Sequence, residues 1–219
     1  SRGLLINSPS NPAGSILSGE QLKALTELPV PIISDEIYHG LTYEGEEHSI
    51  LEYTDQAFVL GGFSKAYAMT GWRLGYLIAP ESCVRPLQTM HQNFMICANH
   101  FVQLGGVTAL RECEADVARM RKLYNERRLR LVARLRELGF GVRFTPQGAF
   151  YVLADARHIT NDSKKLALDI LEATGVAVTP GIDFGEGAEG YLRFSYASPL
   201  EQIDEALGRI AIFLKKQGF

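Results

Sequence analysis

The sequence predicts an α/β protein in two parts: a mainly parallel sheet with helices over residues 1–115, and a smaller α+β part over residues 116–219. In the first part, short apolar runs alternate with helical patterns, which is typical of parallel strands connected by helices. In the second part, strand and helix patterns follow one long amphipathic helix. With 219 residues, 46% of them hydrophobic, the chain can form one large domain or two small ones.

The first part begins with an apolar strand and a loop rich in proline. Ser18 and Gln21 form a capping-box pattern, which predicts a helix from there to about Leu28. Residues 81–112 have a helical pattern that we expect to break at Gly105 and Gly106. The predicted strands of this part are residues 4–6, 31–35, 57–61 and 73–79.

The second part begins with a predicted helix over residues 114–138, and Gly139 lies where a glycine commonly ends a helix. Its arginines, from Arg119 to Arg136, could suggest nucleic-acid binding. They alternate with apolar residues at helical spacing, so we interpret them as the solvated face of an amphipathic helix. The remaining predicted elements are strands at 141–144, 148–153, 176–179 and 191–195, a helix at 163–173, and a final helix with Ser198 as N-cap.

Composition excludes several function classes. The formal charge of −3 gives no reason to expect nucleic acid as a partner, and no segment is long enough to span a membrane. Three cysteines lack disulfide, metal or redox spacing, which indicates a reducing cytoplasm. The five histidines are scattered, so we expect no metal.

One lysine follows a predicted buried strand. The apolar run 57–60 ends in Gly61 and Gly62, Lys65 follows, and Arg73 lies eight residues beyond the lysine. The glycines allow the backbone to turn sharply into a ligand crevice. A lysine after a strand is most often a solvated loop charge, but a lysine amine can also form a Schiff base with an aldehyde.

Carboxylates also follow a second predicted strand, at the carboxyl end where open α/β sheets bind ligands. There Asp35 and Glu36 follow an apolar run, and Tyr38 comes three residues after Asp35. An Asp-Glu pair can also mark a helix N-terminus, where acidic groups interact favourably with the helix dipole. We assign a ligand-binding role to Asp35 and the helix-terminus role to Glu36.

Two further motifs carry polar groups in otherwise ordinary local patterns. Residues 7–14 read Asn-Ser-Pro-Ser-Asn-Pro-Ala-Gly, which a simple proline and glycine turn would explain. Residues 190–196 read Gly-Tyr-Leu-Arg-Phe-Ser-Tyr, an alternating strand in which Arg193 would be an outward-facing residue. An arginine also offers a rigid planar fork that binds carboxylates well.

Together, these four motifs resemble those of the class I/II aminotransferases of the pyridoxal phosphate fold type I family. The resemblance implies that Lys65 carries the cofactor and that Asp35 keeps its ring nitrogen protonated, so that the ring acts as an electron sink. The other implied roles are Asn11 and Tyr38 at the phenolic oxygen, Ser64 and Arg73 at the phosphate, and Arg193 at the substrate's α-carboxylate. Where the family often has a second serine, this chain has Gly62.

The resemblance covers only about the C-terminal half of such an enzyme. The first strand would belong in the middle of the family's large domain, and residues 116–219 would form its small α+β domain. We therefore expect the phosphate-cradling loop and the aromatic that stacks on the ring to lie outside these residues. Family members are dimers, and the helices over 81–112 could serve a homodimer interface.

The implied activity is ping-pong transamination between an amino acid and an α-keto acid, with small-molecule substrates and neither nucleic acid nor a membrane as partner. The same residues would serve a carbon–sulfur lyase or another enzyme acting at the α-carbon, because a fold does not fix a reaction class. A non-catalytic sensing domain is a further alternative. The sequence does not identify the amino donor or the keto acid acceptor.

Overall fold

The computed structural model describes residues 1–219 as two compact units. The first unit comprises residues 1–10 and 15–121, and the second comprises residues 11–14 and 122–219. Each unit is described by itself below. The domain boundary expected between residues 115 and 116 remains a prediction, because the division into compact units does not test where functional domains begin and end.

The first unit contains a four-stranded sheet in the order β1-β2-β3-β4. The first three strands are parallel, and β4 runs antiparallel to β3. This mixed sheet confirms the predicted α/β class, and each strand lies within a residue or two of its predicted position. The strands are β1 (Leu4–Asn7), β2 (Ile32–Asp35), β3 (Phe58–Gly62) and β4 (Gly75–Ile78).

Helix α1 (Gly19–Thr26) covers one face of this sheet. It has the predicted capping box, in which Ser18 accepts from the Gln21 backbone and the Gln21 side chain accepts from the Ser18 backbone. Its Leu22 is buried in a core that contains Ile32, Ile50, Ala57 and Val59. The sheet also carries exposed apolar side chains, at Leu5 (68% exposed), Ile33 (39%) and Leu60 (38%).

The predicted helical break at Gly105 and Gly106 is wrong. The chain forms α2 (Glu81–Phe94) and α3 (His100–Glu112), and both glycines lie inside α3. A Cβ at Gly105 would lie 2.7 Å from the Trp72 ring, and one at Gly106 would lie 2.6 Å from the Leu74 side chain. The glycines therefore allow α3 to pack closely against the segment after β3.

Helix α4 (Glu114–Glu137) has the predicted length, but its arginines are not all solvated. Arg128 is buried, donates from Nε to the Asn125 side chain at 3.0 Å and donates from Nη1 to the Pro146 carbonyl. The interpretation as a wholly solvated face is thus wrong at Arg128, because a distant loop supplies the acceptor for its guanidinium. Arg130, by contrast, is exposed and pairs with Asp204 at 2.8 Å.

The second unit contains an antiparallel sheet in the order β5-β7-β6. The strand predicted at 141–144 is wrong beyond Gly141, which forms a single bridge with Asp155, and the Val142 carbonyl accepts from the Arg136 side chain. Of the predicted strand at 176–179, only Thr179 lies in a strand, which continues to Pro180, because the Val176 N–H donates to the Thr174 hydroxyl and not to a strand. The elements are β5 (Tyr151–Asp155), α5 (Ser163–Thr174), β6 (Thr179–Pro180), β7 (Tyr191–Ser195) and α6 (Leu200–Gln217).

Helix α6 begins one residue later than its sequence pattern predicts. Pro199 is its N-cap and has no side-chain capping bond, so the assignment of Ser198 as N-cap is wrong. The Pro199 backbone is extended, with φ −55° and ψ 151°, and its carbonyl accepts from the Ile203 N–H. None of the six α-helices combines the length and the apolar character that a membrane-spanning helix needs.

Candidate active site

The carboxyl ends of the parallel strands place polar groups side by side in the first unit. Asn7 and Asp35 are register partners at the last residues of β1 and β2, and Gly62 ends the neighbouring β3. The sheet therefore brings together the ends of three sequence motifs that lie far apart along the chain. Such an edge is where open α/β sheets bind ligands.

The backbone at Asp35 is held from both neighbouring strands. Its carbonyl accepts from the Asn7 side-chain amide at 2.9 Å and from the Ser8 N–H at 3.2 Å. On the other side, the Glu36 N–H donates to the Leu60 carbonyl at 2.9 Å. The Asp35 carboxylate accepts from the Ile37 N–H at 3.1 Å, which sets the side-chain direction. Asn7 thus positions the Asp35 backbone, a role that its local sequence did not reveal.

Glu36 is a buried network residue, and its predicted role at the start of a helix is wrong. The Glu36 residue is only 7% exposed. Its Oε1 accepts from the Ser34 hydroxyl at 2.9 Å, the Ser49 hydroxyl at 3.2 Å and the Ile50 N–H at 3.0 Å. Ile50 begins a 3₁₀ helix (Ile50–Glu52), so the carboxylate meets a helix terminus that belongs to another segment. A buried carboxylate is stable only with such donors.

The loop after β3 presents Lys65. Two backbone bonds close the loop, from the Met69 N–H to the Phe63 carbonyl at 3.1 Å and from the Ala68 N–H to the Lys65 carbonyl at 3.1 Å. Ala68 and Arg73 both have a φ of +53°, which non-glycine residues seldom adopt. Backbone strain of this kind is concentrated at functional sites, where the surrounding structure maintains it.

The Tyr38 turn packs against this lysine loop. The Lys65 ammonium nitrogen lies 5.8 Å from the centre of the Tyr38 ring, and Tyr38 is only 3% exposed. A Cβ added at Gly40 would lie 3.3 Å from Ala66, and one at Gly62 would lie 3.0 Å from Ile37. The structure therefore brings Tyr38 and Lys65 close together, while their roles toward a cofactor remain predictions.

Gly62 stands where the family often has a serine, and packing explains it. A Cβ at this position would also lie 3.2 Å from the Gly75 backbone and 3.2 Å from the Leu74 carbonyl. A serine would require a shift of the neighbouring strand β4.

Strand β4 also carries Tyr76. Burial raises the pKa of the Tyr76 phenol above its ordinary value, with smaller contributions from Tyr67 and Glu36.

Ser64 and Arg73 lie before and after Lys65 in the sequence. Ser64, directly before the lysine, is half-buried, whereas Arg73 is exposed and donates from Nη1 to the Thr70 carbonyl at 3.0 Å. That bond leaves the guanidinium with further N–H donors, because the group carries five of them. A hydroxyl and a guanidinium are both groups of the kind that binds a phosphate.

In the second unit, Asn11 and Arg193 are in direct contact although 182 positions separate them. The Arg193 Nη1 donates to the Asn11 Oδ1 at 2.8 Å. A guanidinium can only donate, so the amide oxygen faces the arginine and the amide nitrogen keeps its donor role. The buried Nε of Arg193 has no hydrogen-bond partner.

The donor set fits pyridoxal phosphate as a chemical group. The first unit offers an amine for its aldehyde at Lys65, a carboxylate for its ring nitrogen at Asp35, and a hydroxyl and a cation for its phosphate at Ser64 and Arg73. Each group is of the chemical type that its assigned part of the cofactor requires.

Comparison with known proteins identifies the class to which this fold and these residues belong. The family model described as "Aminotransferase class I and II" matches residues 1–210, and the chain belongs to this family. A (5-formylfuran-3-yl)methyl phosphate transaminase of Methanocaldococcus jannaschii is 38% identical, over 98% of this chain and 58% of its own length. A valine–pyruvate aminotransferase of Mycobacterium tuberculosis is 38% identical, over 99% of this chain and 58% of its own length.

The solved structures agree with the family assignment. The crystal structure of an aminotransferase from Mycobacterium tuberculosis matches with a TM-score of 0.93 and 38% identity, over 98% of this chain and 58% of that one. This chain thus spans a little under three fifths of the length of the relatives that it matches.

Proposed function

We propose that the protein catalyses transamination between an amino acid and an α-keto acid with pyridoxal 5′-phosphate as cofactor. The observation that carries the proposal is the placement of Lys65 in a strained loop at the end of β3, beside the Tyr38 turn and next to the strand end that bears Asp35. Membership of the class I and II aminotransferase family supports it. The named relatives differ in substrate, so similarity alone does not select an amino donor.

Each polar residue has a role toward the cofactor in this proposal. Lys65 binds it covalently through the Nζ amine, and Asp35 holds a proton on its ring nitrogen. Tyr38 and Asn11 donate to its phenolic oxygen, and Ser64 and Arg73 bind its phosphate. When bound, the cofactor withdraws electrons from the substrate's α-carbon.

The chain's own groups then carry the proton and orient the substrate. The Lys65 Nζ would act as general base on the proton at the α-carbon, hold that proton as the ammonium, and then give it up again as general acid. Arg193 binds the α-carboxylate, which orients the α C–H bond for cleavage. Over the two half-reactions, the amino group of the donor would pass to a second keto acid, and the donor would leave as its own keto acid.

The assay that tests this function separates transamination from its alternatives. The intact protein is incubated with single amino acids and 2-oxoglutarate, and glutamate formation is measured. Transamination yields glutamate in amounts equal to the new keto acid. Release of ammonia or a thiol without glutamate would indicate a lyase, and a complete lack of turnover with bound cofactor would indicate a sensing domain. The relatives named above are aminotransferases, which favours the first outcome.

Replacing Arg193 with lysine should weaken every amino donor alike. Arg193→Lys keeps the charge but loses the planar fork, and we expect kcat/KM to fall by about 100-fold across all donors. The measurement is steady-state kinetics with neutral and acidic donors. Arg157→Lys is the matched control, because Arg157 is exposed and pairs with Asp155. A loss confined to acidic donors would contradict the carboxylate role and make Arg193 a side-chain specificity residue.

We also propose a cytoplasmic location and a homodimer. Three cysteines without a disulfide suit a reducing compartment.

The homodimer is supported by helices α2 and α3, which expose large apolar side chains. Large exposed apolar patches are typical of protein interfaces. These side chains include Met90 (56% exposed), Phe94 (79%), Phe101 (63%), Leu104 (57%) and Leu110 (61%).

The 219 residues by themselves should associate in solution and should not turn over substrate. The exposed residues of α2 and α3, and Leu5 and Ile33 on the sheet, leave apolar surface uncovered. Parallel sheets are normally covered on both faces, and uncovered faces and open edges promote association. Light scattering and a transamination assay on residues 1–219 test this expectation. A monodisperse monomer with transaminase activity would contradict it.

A further inference from the structure

The Arg193 guanidinium has contacts beyond Asn11, all within the second unit. Its Nη2 donates to the Thr179 hydroxyl at 3.0 Å. Its Cζ lies 4.2 Å from the centre of the Tyr151 ring and 4.9 Å from that of Phe184. Two hydrogen-bond acceptors and two aromatic rings therefore restrict the side chain, a larger set of contacts than an outward-facing strand arginine would make.

Strand register places Thr179 beside Arg193. It is the direct cross-strand partner of Arg193, in the pairing of β6 with β7, so both side chains lie on the same face of the sheet. Because a guanidinium cannot accept a hydrogen bond, the Thr179 oxygen is the acceptor. The hydroxyl thus holds one end of the guanidinium fork, while Asn11 holds the other.

Phe184 is held by a tight turn. It ends a short 3₁₀ helix (Gly181–Phe184), in which a Cβ at Gly181 would lie 1.9 Å from the Ala188 carbonyl oxygen. The turn is fixed further by a bond from the Ile182 N–H to the Ser163 hydroxyl at 3.2 Å. Only glycine fits at position 181, so the backbone sets where the Phe184 ring lies. A cation over an aromatic face is attracted to it.

The buried Nε of Arg193 shows that this arrangement does not maximise the arginine's own hydrogen bonds. Its N–H has no partner, and a buried donor without a partner is unfavourable. The contacts with Thr179 and Phe184 keep the guanidinium in place despite that cost. A side chain held in this way is oriented in advance for a ligand, which lowers the cost of ordering it when the ligand binds.

We propose that Thr179 and Phe184 are positioning residues that fix the Arg193 fork for the α-carboxylate of the substrate. The inference rests on the proposed function of Arg193. Both residues act through the arginine, so their effect falls on binding of the carboxylate and not on proton transfer. Amino donors and keto acid acceptors share that carboxylate, so the KM values of both half-reactions depend on these two residues.

The test uses Thr179→Val, which keeps the shape of the side chain but removes the hydroxyl, and Thr179→Ser, which restores the hydroxyl. In the intact protein, Thr179→Val should raise KM about tenfold for every amino donor and every keto acid, with kcat nearly unchanged. Thr179→Ser should return KM close to its original value. Phe184→Leu should raise KM several-fold. Thr160→Val is the matched control, because the Thr160 hydroxyl accepts only the local Asp162 N–H.

A binding measurement without turnover separates positioning from a general loss of structure. The affinity of the cofactor-loaded protein for hydrocinnamate, a carboxylate that lacks an amino group, is measured by calorimetry and should fall by the same factor as KM rises. If Thr179→Val does not fold, the same comparison is made with Phe184→Leu. Unchanged KM and unchanged hydrocinnamate affinity, or a fall in kcat alone, would overturn the inference. If Arg193→Lys then still shows its large loss, the proposed function stands, whereas an unaffected Arg193→Lys would remove both.

Discussion

Lys65→Ala should abolish transamination by the intact protein, with a loss of at least about 10⁴-fold in kcat. Loss of a general acid or base alone typically costs about 10²–10⁴-fold, and in the proposed function this substitution also removes the covalent anchor of the cofactor. The structure supports the assignment because Lys65 lies in a loop with two strained residues and faces the Tyr38 ring at 5.8 Å. The measurement is single-turnover and steady-state kinetics with a saturating amino donor.

Two further variants make this prediction specific to the lysine amine. Lys65→Arg keeps a cation but cannot form the covalent link, so it should be as inactive as Lys65→Ala. Lys23→Ala is the matched control, since Lys23 lies on the exposed side of α1, and it should retain full activity. Thermal unfolding of each variant verifies that the fold is retained. Substantial turnover by folded Lys65→Arg would show that the lysine is not the covalent anchor.

Asp35→Ala should leave the cofactor bound while kcat falls by about 10²–10³-fold. In the proposed function, the carboxylate favours the protonated ring nitrogen, and without it the negative charge that develops at the substrate's α-carbon would be poorly stabilised. The Asp35 backbone is held by Asn7 and by the pairing with β3, so we expect the strand end to keep its course when the side chain is removed. Cofactor content and steady-state kinetics are the measurements.

The chain offers a conservative variant and a control for Asp35. Asp35→Glu keeps the charge and should retain more activity than Asp35→Ala, whereas Asp35→Asn keeps the size and should not. Asp55→Ala removes an exposed carboxylate from the same unit and should change neither cofactor content nor kcat. Near-normal turnover by Asp35→Ala would refute the role of the carboxylate at the ring nitrogen.

Features fixed by local sequence could be predicted. The strand that ends at Asp35, the capping box of α1 and the alternating strand around Arg193 depend on neighbouring residues, and the structure has all three. The approach of the Tyr38 turn to Lys65 does not follow from the local sequence of either residue. Strand order and parallel pairing bring together these segments, which lie far apart along the chain.

Features that depend on distant partners could not be predicted. Glu36 is buried because Ser49 and Ile50, in a later segment, donate hydrogen bonds to its carboxylate. The sequence around Glu36 does not indicate these donors. Arg128 is likewise buried because the Pro146 carbonyl accepts from it, although helical spacing places it among solvated arginines. The two glycines of α3 predict a helix break from sequence alone, because the sequence does not show that the Trp72 ring packs against Gly105 and the Leu74 side chain against Gly106.

The most direct test of the central claim is chemical mapping of the lysine that carries the cofactor. The intact protein is loaded with pyridoxal 5′-phosphate, reduced with borohydride, digested and analysed by mass spectrometry. Our account predicts that the added cofactor mass lies on the peptide that contains Lys65 and is absent from Lys65→Arg. A cofactor mass on any other lysine, or one that persists in Lys65→Arg, would contradict the account.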